Sequence, residues 1–316
     1  GIGVGLLGIG TFTQVNGISS AVNNFFDSNN AWTVSLFGRT YSWTVVISCL
    51  ILTFCVALVL IGGIQRISKV AQVIVPFMAA TYFLAGILII LFNITDVPAA
   101  ILTIVQSAFG LKAAAGGALG AMVVAMQKGI ARGIFSNEAG LGSAPIAAAA
   151  ARTNEPVRQG LVSMTATFID TIIICSITGI AIVLTGAYDM GLEGVAVTTK
   201  AFQIGLPFPD GVASFILMLC LVFFAFTTIL GWDYYSERCL EYLTNGKKKC
   251  IKAYRWVYIL CVFIGPYMTV SAVWTIADIF NGLMAIPNMI AIFVLSGVVI
   301  AETRDFFKRH KKESEA

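Results

Sequence analysis

Four ionisable residues stand where an apolar chain would not ordinarily place them: Arg132, Glu138, Asp170 and Asp278. A charge at the centre of a bilayer costs at least ~2.5–3.5 kcal/mol on insertion scales, so such groups pair with one another or face a water-filled path. Arg132 and Glu138 therefore form either an ion pair tying neighbouring helices together or part of a gate or coupling site. Asp170, in the run Thr167–Thr171, is a cation ligand, a proton carrier, or a carboxylate hydrogen-bonded by Thr167 and Thr171 and by the neighbouring break described below. Asp278 is a packing or gating residue. Neutral groups make a second set. Thr227 and Thr228 offer hydroxyls of the kind a hard cation takes as ligands, although threonine in a membrane helix often bonds back to its own helix. Trp232 lies one turn beyond Thr228, on the same face. Gln14 serves either a substrate or a helix-to-helix hydrogen bond.

Hydrolytic and metal chemistry are poorly served. The chain holds one histidine, His310, and seven cysteines with no CxxC spacing, so neither a zinc site nor a nucleophile with its base is assembled. The protein is not expected to be an enzyme or to hold a cofactor.

The elements that must position these residues are membrane helices. Hydrophobic residues make up 58% of the chain and charged residues 11%. A soluble domain carries roughly 25% charged residues, so most of this chain faces lipid, and the fold class is an all-α polytopic membrane protein. A spanning helix needs about 20 mostly apolar residues, which predicts eight crossings, near 1–26, 42–63, 67–92, 113–150, 157–186, 211–240, 252–270 and 274–302. Two shorter stretches, 96–109 and 190–205, read as surface helices or loops. Arg66 and Lys69, Arg152 and Arg158, the set from Arg238 to Arg255, and the tail from Arg304 to Lys312 fall in alternate loops, whereas the others hold Asp27, Asp96, Asp189, Glu193 and Asp210. Basic loops stay cytoplasmic, which puts the C-terminus, including a basic tail at 303–316, on that side. The whole of 1–316 reads as one transmembrane domain. It opens on Gly1 within an apolar run, which reads as a chain lacking its N-terminal helices.

The fourth crossing is too long for one straight span, and between Gly129 and Gly142 it carries four glycines with Arg132, Ser136, Asn137 and Glu138 among them. Each glycine costs a continuous helix about 1 kcal/mol relative to alanine, so the pattern predicts a break near Gly133–Gly142. Irregular backbone at membrane depth is tolerated where it is buried or lines a cavity, and broken helices of this kind hold transporter binding sites. The last crossing has Asn281, Gly282, Pro287 and Asn288 in an apolar run, which predicts a packing kink.

The run from Gly129 to Pro145 (GIARGIFSNEAGLGSAP) resembles the signature of the alanine or glycine:cation symporter family. The likeness continues through Pro156–Gly160, Thr167–Thr171, Gly231–Trp232, Glu237–Tyr242 and Ala277–Gly282. It implies a leucine-transporter-type inverted repeat in which the fourth crossing here matches the sixth core helix and the sixth matches the eighth. The first two core helices have no counterpart in this chain. By position, Phe135, Ser136, Asn137, Gln14, Thr228 and Trp232 would meet the substrate, and Thr227 and Thr228 a sodium ion. The resemblance implies sodium-coupled symport of alanine or glycine across the cell membrane by alternating access. A same-fold transporter driven by protons, or carrying another small solute, stays open.

Overall fold

The computed structural model describes residues 9–36, 38–109 and 117–314, so the glycines at 1, 3, 5 and 8 lie outside the described residues. Apart from one hairpin the described chain is helical: α1 (Ile9–Phe26), β1 (Thr33–Leu36), β2 (Arg39–Ser42), α2 (Trp43–Ile61), α3 (Ile64–Phe92), α4 (Val97–Ala108), α5 (Ala118–Asn137), α6 (Ala144–Ala148), α7 (Pro156–Phe168), α8 (Ser176–Leu184), α9 (Val195–Gly205), α10 (Asp210–Leu243), α11 (Lys248–Ile264) and α12 (Val270–Ser314). Between α7 and α8 the axis continues without a loop as a seven-residue π-helical segment, Ile169–Cys175.

Five of these helices are long and apolar enough to cross a membrane: Trp43–Ile61, Gln65–Phe92, Pro156–Leu184, Asp210–Leu243 and Val270–Lys311. The other three expected crossings correspond to α1, of 18 described residues, to the interrupted α5–α6 pair, and to the 17-residue α11. Ile286, Ile290, Phe293 and Val294 on α12 and Leu50, Ile51 and Phe54 on α2 are exposed. Such long apolar faces suit lipid as their solvent. The expected kink near Asn281 leaves no interruption: α12 is helical for 45 residues through Pro287.

The core is organised around α10. Its Ala225, Ile229 and Leu230 meet Val15 and Ile18 of α1, Val56 of α2 and Tyr258 of α11 in one cluster. Its Ala213, Leu217 and Cys220 meet Tyr82 and Ile89 of α3 and Phe202 of α9 in a second. Its Trp232 meets Leu141, Ala277 of α12 and Met284 of α12 in a third. α9 thus departs from the surface helix expected at 190–205, because Phe202 buries its ring in the core, tilted against Tyr82 at 5.5 Å. At one end, Asp27 pins the hairpin, accepting hydrogen bonds from the Ala31 and Trp32 amides at 2.7 and 3.3 Å and from Ser42 Oγ at 2.7 Å. The Ser42 side chain in turn accepts from the Thr44 amide and caps α2.

Candidate functional site: the interrupted helix

α5 stops at Asn137 because the next residue leaves the helical region. Glu138 sits at φ 55° and closes the helix with its amide on Ile134 O, and Gly140 and Gly142 follow at φ 83° and 82°. Glycine takes such values at no steric cost. Glutamate does not, and its side chain is held in compensation by Ser143 Oγ, which donates to Glu138 Oε2 at 2.7 Å. The chain turns through Leu141, buried against Trp232, and resumes helix at Ala144, beside Pro145. The break therefore lies at residues 138–143, within the C-terminal half of the Gly133–Gly142 window and one residue beyond it.

A helix leaves its last carbonyls without internal partners. Here Ile134 O is taken by the Glu138 amide, and Glu138 O by Leu141. The carbonyls of Phe135, Ser136 and Asn137 receive no amide from the residues that follow, since the Ala139 amide turns to Asn137 Oδ1 at 2.8 Å. Among the described residues, three oxygens are thus free of amide partners at the negative end of a helix, where the macrodipole favours a cation.

The side chains at this end reach across to the π segment. Ser136 Oγ donates to Asp170 Oδ2 at 2.7 Å, and Asn137 Nδ2 donates to Thr171 Oγ1 at 2.8 Å. π-Helical turns place an extra residue in the helix and recur at functional sites. In this one, Asp170 and Thr171 are neighbours in sequence and both face α5. Of the three roles open to Asp170, the hydrogen-bonded one is present: Ser136 of the neighbouring break donates at 2.7 Å and Thr171 Oγ1 donates at 3.5 Å, while Thr167 makes no such bond among the described residues.

One turn earlier on α5, Arg132 meets α12. Its Nη2 donates to Asp278 Oδ1 and Oδ2 at 2.8 and 2.6 Å, and its guanidinium lies over the Trp274 ring at 4.1 Å. Phe135 packs its ring against the same indole, 5.0 Å between centroids. The expected neighbourhood of Arg132 and Glu138 is therefore divided. Arg132 pairs with Asp278, and Glu138 bonds within the break. Trp274 carries no signal of its own in the sequence beyond lying four residues before Asp278, one turn away on the same face.

The remaining candidates lie on α10 and α1. Trp232 is buried, edge-to-face on Tyr235 at 5.8 Å, and Gly10 of α1 approaches so closely that a Cβ there would enter the indole. Thr227 Oγ1 donates to Phe223 O and Phe224 O, and Thr228 Oγ1 to Phe224 O, at 2.9–3.1 Å. Both hydroxyls are bonded back to their own helix, with their lone pairs still available as ligands. Gln14 makes no hydrogen bond among the described residues, and its neighbour Asn16 donates to Met268 O at 3.0 Å. The structure thus brings together Arg132 with Asp278, Ser136 with Asp170, and, through Leu141, the break with Trp232. Among the described residues, no hydrogen bond joins Gln14, Thr227 or Thr228 to these.

A family model described as the sodium:alanine symporter family matches residues 2–316. The chain is similar to an uncharacterized transporter of Haemophilus influenzae, 50% identical over 98% of this chain and 64% of that protein. It is 42% identical to the sodium/alanine symporter AgcS of Methanococcus maripaludis, over 97% of this chain and 63% of the relative. It is 40% identical to the probable sodium/glutamine symporter GlnT of Bacillus subtilis, over 90% and 59%. The chain spans about three-fifths of the length of these relatives.

Proposed function

Because this chain belongs to the sodium:alanine symporter family, we propose that it is the greater part of a secondary transporter that carries a small neutral amino acid, alanine or glycine, together with sodium. The observation that carries this reading is the end of α5, where three carbonyl oxygens are free of amide partners. Free backbone oxygens at a helix C-terminus suit an ammonium group or a sodium ion without adding a fixed charge. Phe135, Ser136 and Asn137 would meet the substrate there, with Gln14, Thr228 and the Trp232 indole completing its pocket. Thr227 and Thr228 would supply hydroxyl oxygens to sodium from lone pairs that their own hydrogen bonds leave unused.

What holds the break supports a reading by alternating access. The Ser136–Asp170 and Asn137–Thr171 bonds tie α5 to the π segment, and the Arg132–Asp278 pair ties it to α12. These are few, polar and exchangeable with water, so they suit a gate; packing of Leu141 against Trp232 gives the break a rigid floor. In this reading residues 1–316 form a single domain of a leucine-transporter-type inverted repeat in the cytoplasmic membrane, and 303–316 is a basic cytoplasmic tail. Sodium is cargo rather than a resident cofactor.

The test is uptake of labelled alanine, glycine and glutamine by proteoliposomes holding the intact protein, with an inward sodium gradient, with a proton gradient alone, and with neither. Accumulation of alanine or glycine only under the sodium gradient is the expected result. Uptake driven by the proton gradient alone, or of glutamine in preference to both, would refute the reading.

A further inference from the structure

The turn of α10 after Trp232 carries two carboxylates, Asp233 and Glu237, four residues apart and so on one face. They are 2% and 5% exposed, and Ser236 beside them is fully buried. Buried charges must be answered by partners. Glu237 is answered: Arg255 of α11 holds both its oxygens, one through Nη2 at 2.9 Å and the other through Nε. Asp233 is not. Its Oδ1 is sealed from solvent and accepts no hydrogen bond among the described residues.

The surroundings narrow what could answer it. The charges that bear on Asp233 are Glu237, which repels further negative charge, and Arg255, whose Nε and Nη2 are already given to Glu237. From α11, Tyr254 and Tyr258 also face the cluster, and the Tyr258 hydroxyl donates to Ile229 O at 2.6 Å while sharing a hydrogen bond with Thr11 at 2.5 Å. α1 brings no charge to the cluster, because Ile9–Phe26 contains no ionisable side chain. The cations Lys69, Arg152 and Arg238 line a cleft with Gly231, Tyr234 and Tyr235, on the opposite side of α10 from Asp233.

With Asp233 ionised, the cluster of two carboxylates and one guanidinium carries one uncompensated negative charge away from water. A metal cation would need several oxygen ligands around it. A proton needs only one, and Oδ1 supplies it. We propose that Asp233 is a proton-binding site, occupied in the packed arrangement the structure shows. Loss of that proton exposes a buried charge between α10 and α11 and draws water to the turn that carries Trp232. Proton loading is thereby linked to the packing of α10, whatever solute the protein carries.

Infrared titration of the intact protein in lipid reads this directly, because a protonated carboxyl has a carbonyl band that shifts in heavy water. The expected result is a band in the unmodified protein that titrates away as pH rises, is absent in Asp233→Asn, moves in Asp233→Glu and persists in Asp170→Asn. The pH dependence of sodium-driven alanine uptake should flatten in Asp233→Asn. A band lost in Asp170→Asn and kept in Asp233→Asn would overturn the proposal. So would the absence of any titrating band in the unmodified protein, which decides the matter even if the variants fail to fold. Loss of labelled-sodium binding in Asp233→Asn, with no such band before substitution, would make Asp233 a sodium ligand instead and overturn it equally.

Discussion

Replacing Gly10 by alanine tests how tightly α1 is pressed onto Trp232. The three atoms nearest an added Cβ are all in the indole, well inside contact distance. The indole has nowhere to go: it is 4% exposed and packed on Leu141, Ala277 and Met284, with Tyr235 at its edge. Overpacking of this kind costs about 1–3 kcal/mol, while alanine in place of glycine in a helix returns about 0.5–1 kcal/mol. Gly10→Ala should therefore destabilise by a net ~1–2 kcal/mol. Trp232→Ala alone, which empties a buried ring, should cost about 3–5 kcal/mol. In that background the clash is gone, and Gly10→Ala should turn neutral or stabilising by up to ~1 kcal/mol. The sign reversal is the signature, and a double-mutant cycle isolates it. The assay is the fraction of monodisperse protein surviving heating in detergent, where 1 kcal/mol corresponds to roughly 2 °C in a chain of this size. Equal losses from Gly10→Ala in both backgrounds would refute the packing argument.

Thr228→Val in the intact protein should raise the sodium concentration for half-maximal uptake while leaving the helix intact, since the lost hydroxyl bonds only to Phe224 O; unchanged sodium dependence would remove Thr228 from the ion's path. Arg132→Lys keeps the charge but loses the two-oxygen grip on Asp278 and the stacking on Trp274. Both partners are more than a third exposed, so the discounted loss is about 1–2 kcal/mol, read as a several-fold change in uptake rate at unchanged protein yield. Asp27 is held below its ordinary 3.8, chiefly by the hydrogen bond from Ser42. Its contribution to the hairpin is then complete above 3.8 and lost as pH falls through the lower folded value. Amide exchange at Ala31 and Trp32, corrected for intrinsic pH dependence, should lose protection in acid, and Asp27→Asn should remove that pH dependence.

The interruption of α5 was legible because composition and length conflicted: too many glycines and too many residues for one span. Its placement at 138–143 was less so, since the residue that ends α5 in the left-handed region is Glu138, held there by Ser143 rather than by a glycine. The charged residues at membrane depth pointed to partners without saying which. Arg132 finds Asp278 at 146 positions' separation, and Glu138 stays local. Such pairings depend on how helices are laid side by side, which periodicity within one helix does not encode. Nothing in Ile169–Cys175 announces a π segment, because one extra residue per turn leaves no compositional trace. Thr227 and Thr228 illustrate the opposite limit, in which the back-bonded alternative weighed from residue type alone is the arrangement found.

The unbroken length of α12 has a mechanical consequence. From Asp278, where Arg132 grips it, to Ser314 the helix continues for 36 residues without a loop, about 54 Å at 1.5 Å per residue, against a hydrocarbon core of about 30 Å. It is an arm with its fulcrum at the gripped carboxylate and its far end resting against α7. A tilt of about 10° at the fulcrum would carry the far end roughly 9 Å. Arg309, 3.6 Å from Glu155 at the start of α7, sits where that excursion would be felt. Paired spin labels on 155 and 309 would follow a displacement of that size.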